Sequence, residues 1–349
     1  MKPLIEVKNI DCQYRGAPVI KNLSLHVNKG SLVCLLGPSG CGKTTALRAI
    51  AGFEPVYNGH IYIAGKTVSR PGLTVAPEKR QLGMVFQDYA LFPHMTVVDN
   101  VCFGLRKFSR EEQKTIANEA LTLVGMEDYG RRYPHELSGG QQQRIALARA
   151  LAPKPDAILM DEPFSNLDVE MRKRLSSDVR DILKSLGITG IMVTHDQDEA
   201  FALGDHVGVM KDGRILQWDT PFNLYHEPNN KFVADFIGQG VFIDGVMTTP
   251  NQINTEFGLV NADRAYNWPE NSEVEILLRP DDVVYDPEGP LQGEVTQKAF
   301  RGAEILYTLK LDTGSKILSL FPSHEDFTIG DRVGIRMDLQ HVVAFAKQD

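Results

Sequence analysis

The sequence predicts an α/β unit on a mainly parallel sheet with an antiparallel β flank, followed by a small all-β barrel or sandwich. Over residues 1–238, short and continuously apolar runs alternate with helix-period segments. After Gly240 the pattern changes to period-two runs separated by turn signals. A length of 349 residues fits two domains, at roughly 100–200 residues each.

Residues 31–36, 82–86, 157–160, 188–193 and 207–210 read as buried strands, being short, apolar and bounded by glycine or polar residues. Residues 43–51, 110–124, 141–151 and 169–186 carry helix-period patterns between them. Residues 5–14, 23–27, 60–64 and 215–219 read as antiparallel strands of a β-rich flank. Residues 221–238, which contain Pro228, Asn229 and Asn230, read as the last helix of the first domain and a connector. Beyond it, residues 273–278, 294–300, 305–311, 316–321, 332–337 and 342–346 alternate as half-buried strands. The expected domains are therefore 1–238 and 239–349.

A composition of 42% hydrophobic and 23% charged residues is that of a globular chain and excludes disordered, collagen-like and disulfide-scaffold classes. The net charge of −8 argues against a nucleic acid partner. Apolar runs such as 32–36 fall far short of a membrane helix, which needs roughly 18 residues. The first six residues show no apolar secretory region. Cys12, Cys34, Cys41 and Cys102 are scattered without C-x-x-C spacing, as in a reduced cytoplasmic chain. A membrane role would thus come through partners.

Gly37-Pro-Ser-Gly-Cys-Gly42-Lys43-Thr44 fits G-x-x-x-x-G-K-[ST] between an apolar strand and a helix, the context a phosphate-binding loop requires. Its glycines let backbone N–H groups turn inward around phosphate oxygens, and the helix N-terminus adds its positive end. Gly37, Pro38, Ser39, Gly40, Cys41, Gly42, Lys43, Thr44 and Thr45 are the candidate ATP phosphate site. Lys43 would reach the β- and γ-phosphates and Thr44 would ligate Mg²⁺. A plain glycine-rich turn is the alternative. Cys41, at the helix start, is expected to have a lowered thiol pKa. Residues 157–163 form an apolar strand ending in Asp161 and Glu162. Asp161 would hold Mg²⁺ and Glu162 would polarise the attacking water; read alone, the pair could also be a solvated acidic turn.

Leu137-Ser138-Gly139-Gly140-Gln141, taken with these two motifs, closely resembles the signature of ATP-binding cassette (ABC) ATPases. The resemblance implies a P-loop NTPase domain with an antiparallel β flank and a helical subdomain. It implies that Ser138, Gly139, Gly140 and Gln141 meet the nucleotide of a second copy, hence a homodimer sandwiching two ATP. Tyr14 falls at the adenine-stacking position, although a lone tyrosine at a strand end also suits core or rim. Gln87 resembles the glutamine that contacts Mg²⁺ and water. Residues 165–168 resemble the loop that crosses the dimer interface, with Asp168 at its end. His195 resembles the switch histidine that touches the γ-phosphate. Arg144 and Arg149 read as structural charges.

The resemblance spans essentially the whole chain. Residues 1–238 are similar to the nucleotide-binding subunit of a bacterial importer. Residues 240–349, with Leu277-Leu-Arg-Pro-Asp-Asp282, are similar to the small oligonucleotide-binding-like (TOBE-type) barrel of maltose, polyamine, sulfate and ferric-iron importers. Residues 77–80 and 87–94 are typical of that group. Residues 68–76 and the short final domain with Phe300-Arg-Gly302 most resemble ferric-iron importer ATPases, with polyamine, sulfate or thiosulfate, aminophosphonate and sugar importers as alternatives. Implied partners are membrane permease subunits and, indirectly, a periplasmic substrate-binding protein, with the chain peripheral on the inner face of the membrane. Phe92, Pro93 and His94 are the expected permease-docking surface, with ordinary packing of Leu91 and Phe92 as the other reading. Non-transport ABC ATPases are disfavoured, because the interval from Gln87 to Leu137 leaves no room for a long coiled coil or zinc site.

Overall fold

A computed structural model describes residues 2–14 and 16–347, at Tyr14 the backbone only. The chain divides into two units, Met1–Pro221 and Phe222–Asp349.

The first unit runs β1 (Ile5–Tyr14), β2 (Ala17–Val27), β3 (Leu32–Leu36), α1 (Lys43–Ala51), β4 (Asn58–Ile63), β5 (Lys66–Arg70), β6 (Leu73–Thr74) and β7 (Leu82–Val85). It continues with α2 (Val97–Cys102), α3 (Arg110–Leu123), α4 (Gly139–Leu151), β8 (Ala157–Asp161), α5 (Val169–Ser185), β9 (Thr189–Thr194), α6 (Gln197–Leu203), β10 (His206–Lys211) and β11 (Arg214–Asp219). Six strands form one sheet in the order β11-β10-β3-β9-β8-β7. Neighbours from β10 to β7 pair in parallel and β11 adds an antiparallel edge. Every residue of β3, β8 and β9 is buried, the pattern of strands covered on both faces. The antiparallel flank is a separate five-stranded sheet, β2-β1-β4-β5-β6, so residues 215–219 do not belong to it.

Helices α2, α3 and α4 pack on one another as the expected helical subdomain. Ser109 and Glu112 form a capping box that starts α3. Helices α2 and α6 escaped sequence reading because six or seven residues are too few to show a helical period.

Arg80 is part of the core: the residue is 2% exposed, and its guanidinium donates to five acceptors and, among the described residues, meets no carboxylate. The carbonyls of Ala49 and Ile50 at the end of α1, those of Val68 and Val75, and the Ser69 hydroxyl share its N–H groups. One side chain thus satisfies a helix C-terminus and pins the β5–β6 hairpin beside it.

The second unit holds α7 (Pro221–His226, starting at the division), α8 (Lys231–Ile237), β12 (Val241–Thr249), β13 (Gln252–Thr255), β14 (Gly258–Asn261), β15 (Glu273–Leu278) and β16 (Val283–Tyr285). It ends with β17 (Leu291–Phe300), β18 (Glu304–Leu311), β19 (Lys316–Pro322), β20 (Arg332–Met337) and β21 (Val343–Ala346). The strands make two antiparallel sheets, β14-β13-β12-β15-β21 and β16-β20-β17-β18-β19, and β16 also lies against β19, nearly closing the second. Strands β18 and β19 alternate buried and exposed positions, as their period-two sequences predict. Strands β13 and β14 were not legible, because Gln-Ile-Asn-Thr and Gly-Leu-Val-Asn carry little apolar alternation.

The division falls ahead of the expected boundary at residue 238. Ala234 of α8 packs with Leu277 and Val343 of the β-rich unit, so this helix belongs to the second unit rather than the first. The stretch is also two helices, with Asn230 capping the second through Val233 N at 3.0 Å after Pro228 ends the first.

Candidate active site

Three neighbouring parallel strands deliver the chemistry. Leu36 at the end of β3 pairs with Thr194 at the end of β9, and Val193 pairs with Asp161 at the end of β8. This register puts the loop after Leu36, His195 and Glu162 side by side at the carboxyl ends of the sheet, where open α/β folds bind ligands.

Gly37 cannot be another residue: a Cβ there would lie 2.4 Å from the Met210 carbonyl. Gly42 holds φ +104°, and a Cβ would meet Ile20 Cδ1 at 2.7 Å. Lys43 is buried, and its ammonium donates to the carbonyls of Gly37 and Pro38 at 2.7 and 3.0 Å. The cation is thereby curled over its own loop, poised for phosphate oxygens. Thr44 Oγ1 donates to Asp161 Oδ1 at 2.8 Å, which brings two hard oxygen ligands together. Burial pushes the Asp161 carboxyl up, opposed by the Thr44 hydrogen bond and the positive charges of Arg48 and Lys43.

Glu162 adopts φ 42°, the left-handed region, and its N–H donates to Val193 O at 3.0 Å. Its Oε2 lies 3.2 Å from Nδ1 of His195. A cleft of about 430 Å³ is lined by Ser39, Gly40, Gly42, Lys43, Thr44 and Thr45 together with Glu162. Arg48 and Glu54 line it too. Neither was singled out from sequence, since no motif marks them.

Other expected residues lie around this centre. Gln87 is exposed in the turn after β7, and its carbonyl accepts from Asn166 Nδ2 at 3.0 Å. No hydrogen bond of the described residues joins its side chain to Thr44 or Asp161. Asp168 caps α5, accepting from Met171 N at 2.9 Å. Ser138 and Gln141 form a capping box at the start of α4, and none of Ser138, Gly139, Gly140 or Gln141 lines the phosphate-loop cleft. The side chain of Tyr14 lies outside the described residues. Arg144 pairs with Asp178 and donates to Val124 O, as a structural charge does. Arg149 holds the carbonyls of Tyr89 and Ala90 at 2.8 and 2.6 Å, both residues being left-handed in the turn that begins at Gln87. Phe92 is half-buried against Phe103 with ring centroids 4.3 Å apart, whereas Pro93 and His94 are exposed.

Cys41 corrects an expectation. Burial at 5% exposure pushes its thiol up, outweighing the lowering by Lys43 and by the backbone N–H groups of the helix start. Its alkylation at pH 7 is expected to be slower than in the denatured chain. The rate should rise about tenfold per pH unit through pH 9 as the thiolate fraction grows. Site-resolved mass spectrometry checks this, and equal folded and denatured rates at pH 7 would contradict it.

Comparison with known proteins decides the class. The ABC transporter family model matches residues 20–165 and the TOBE domain model matches residues 276–345. A protein of Clostridium novyi described as a spermidine/putrescine import ATP-binding protein is 40% identical over 351 residues, covering 95% of this chain and 98% of the relative. The chain belongs to the ABC transporter ATPases. A Bacteroides fragilis protein of the same description is 42% identical over 343 residues, covering 96% of this chain and 72% of the relative. A dimeric ATP-binding cassette solved in a post-hydrolysis state with ADP and phosphate superposes with a TM-score of 0.55 at 31% identity, covering 62% of this chain and 98% of that one. This ABC protein is thus an ATP-binding, ATP-hydrolysing subunit that energises import, of the kind that works with a membrane permease and carries a C-terminal TOBE domain. Among the described residues no helix is long and apolar enough to cross a membrane.

The ferric-iron preference finds no support. Relatives described as spermidine/putrescine import proteins match 95% of the chain or more.

Proposed function

We propose that this chain hydrolyses MgATP between two copies of itself to drive polyamine uptake through a membrane permease. The observation that carries the catalytic part is the convergence of Lys43, the Thr44–Asp161 pair and the Glu162–His195 pair on one cleft. On binding, Lys43 exchanges its two loop carbonyls for β- and γ-phosphate oxygens, and N–H groups from Gly37 to Thr45 cradle the rest. Tyr14 stacks on adenine. Thr44 and Asp161, with Gln87, would hold Mg²⁺, and two hard oxygens plus substrate phosphates suit that ion better than an all-protein cage. When bound, the ion offsets phosphate charge. Glu162 takes the proton of the attacking water, and His195 keeps that carboxylate aimed while contacting the γ-phosphate.

Ser138 to Gln141, lying outside this chain's own cleft, meet the nucleotide of the second copy, and the loop ending at Asp168 crosses the interface. Hydrolysis releases the homodimer, and the segment with exposed Pro93 and His94 passes the motion to permease helices. The chain then works as a peripheral protein on the cytoplasmic face, with a periplasmic binding protein delivering cargo on the far side.

The cargo reading is supported by the description of the near full-length relatives. Deleting the gene is expected to abolish uptake of radiolabelled spermidine and putrescine while leaving ferric iron, sulfate and aminophosphonate uptake unchanged. Loss of iron or anion uptake with polyamine uptake intact would overturn the cargo and leave the ATPase standing.

A further inference from the structure

Arg172, on the first turn of α5, touches both loops that flank the hydrolytic pair. Its Nη2 donates to the Leu167 carbonyl at 3.0 Å, one residue before Asp168. Its Nη1 donates to Asp196 Oδ2 at 2.9 Å, one residue after His195. Its Nε lies 3.4 Å from Glu199 Oε1, an ion pair without hydrogen-bond geometry.

The far end of this contact is firmly held. Asp196 Oδ1 accepts from Glu199 N at 3.0 Å, and Asp196 N donates to Thr194 Oγ1 at 3.0 Å. Thr194 Oγ1 in turn donates to the buried Glu199 carboxylate at 2.5 Å. Residues 194–199 therefore form a braced loop around His195, and the guanidinium is the brace that reaches out of it. The near end is held as well: Leu167 N donates to Phe164 O at 3.1 Å, Ser165 Oγ donates to Glu162 O at 3.0 Å, and Asn166 fastens the loop to the turn at Gln87. A guanidinium suits this task because its planar fork fixes the angle between two partners, which an ammonium cannot do.

We propose that Arg172 is a positioning residue that ties the geometry of the 165–168 loop to that of His195. A shift of the Leu167 carbonyl on assembly of two copies is passed through the fork to Asp196, and so to the imidazole that faces Glu162. This rests on the hydrolytic roles given above to His195 and Glu162. A wholly structural arginine would be expected to sustain stability alone; here both of its strongest hydrogen bonds fall one residue from a functional side chain.

The test uses the full chain with its nine histidines ¹³C-labelled, His195 being assigned through His195→Gln. Arg172→Gln is expected to shift the His195 resonance and leave the others in place. Its kcat for ATP should fall about 10- to 100-fold with KM within about twofold, as for a misplaced group outside the binding cradle. Arg172→Lys retains the charge but not the fork, so its melting temperature should match the parent while kcat stays low. Parental kcat in Arg172→Lys, or an unmoved His195 resonance in Arg172→Gln, would overturn the proposal. Parental turnover in His195→Gln would instead overturn the underlying assignment of the hydrolytic pair.

Discussion

Glu162→Gln is expected to abolish steady-state ATP hydrolysis while leaving ATP binding intact. The backbone at Glu162 is fixed by the sheet, through its N–H on the Val193 carbonyl, so the left-handed φ of 42° does not depend on the carboxylate. An amide of the same shape leaves Lys43, Thr44 and the loop glycines untouched. What is lost is the base, a term typically worth 10²- to 10⁴-fold in rate. With binding preserved and release blocked, an ATP-bound dimer should accumulate and elute early in size-exclusion chromatography with MgATP. Unchanged turnover would remove Glu162 from the role.

Arg80→Ala is expected to be the most damaging single change to the stability of the first unit. Burial pushes the guanidinium down to about 10, still well above neutral pH, so the group remains a cation held by four carbonyl dipoles and the Ser69 hydroxyl. Alanine would strand the carbonyls of Ile50 at the end of α1 and of Val75, while those of Ala49 and Val68 keep Gly52 N and Val75 N as donors. The stranded acceptors together with the cavity left by a buried side chain should cost about 3–5 kcal/mol. Lysine should rescue little, because one ammonium cannot span five acceptors. Chemical denaturation followed by circular dichroism should show the first-unit transition moved to lower denaturant. A midpoint equal to the parent's would refute the role given to Arg80.

Much of the site could be read in advance because its parts are local in sequence. The loop from Gly37 to Thr44 needs glycines where the backbone must pass Met210 and turn left-handed, so its spacing is set by sterics and shows in residue types. Asp161 and Glu162 end an apolar run because a fully buried strand must place its first polar groups at its mouth. Arg80 and Arg172 could not be read this way. An arginine gives no local sign of whether it is a solvated surface charge or the clasp between segments that are distant in the chain. Cys41 was misread for the opposite reason: its local setting at a helix start is real, but burial by Gly37 and its neighbours outweighs it.

The sequence by itself determined the class, the phosphate loop, the acidic pair and the change to an all-β second part, because each follows from short-range periodicity or from backbone sterics. Only the tertiary structure decided that β9 lies between β3 and β8, which is what sets His195 beside Glu162. Only it decided that α8 packs with Leu277 and Val343 of the second unit. Strand order and helix allegiance are settled by which apolar faces bury each other, a long-range choice that no window of neighbouring residues contains.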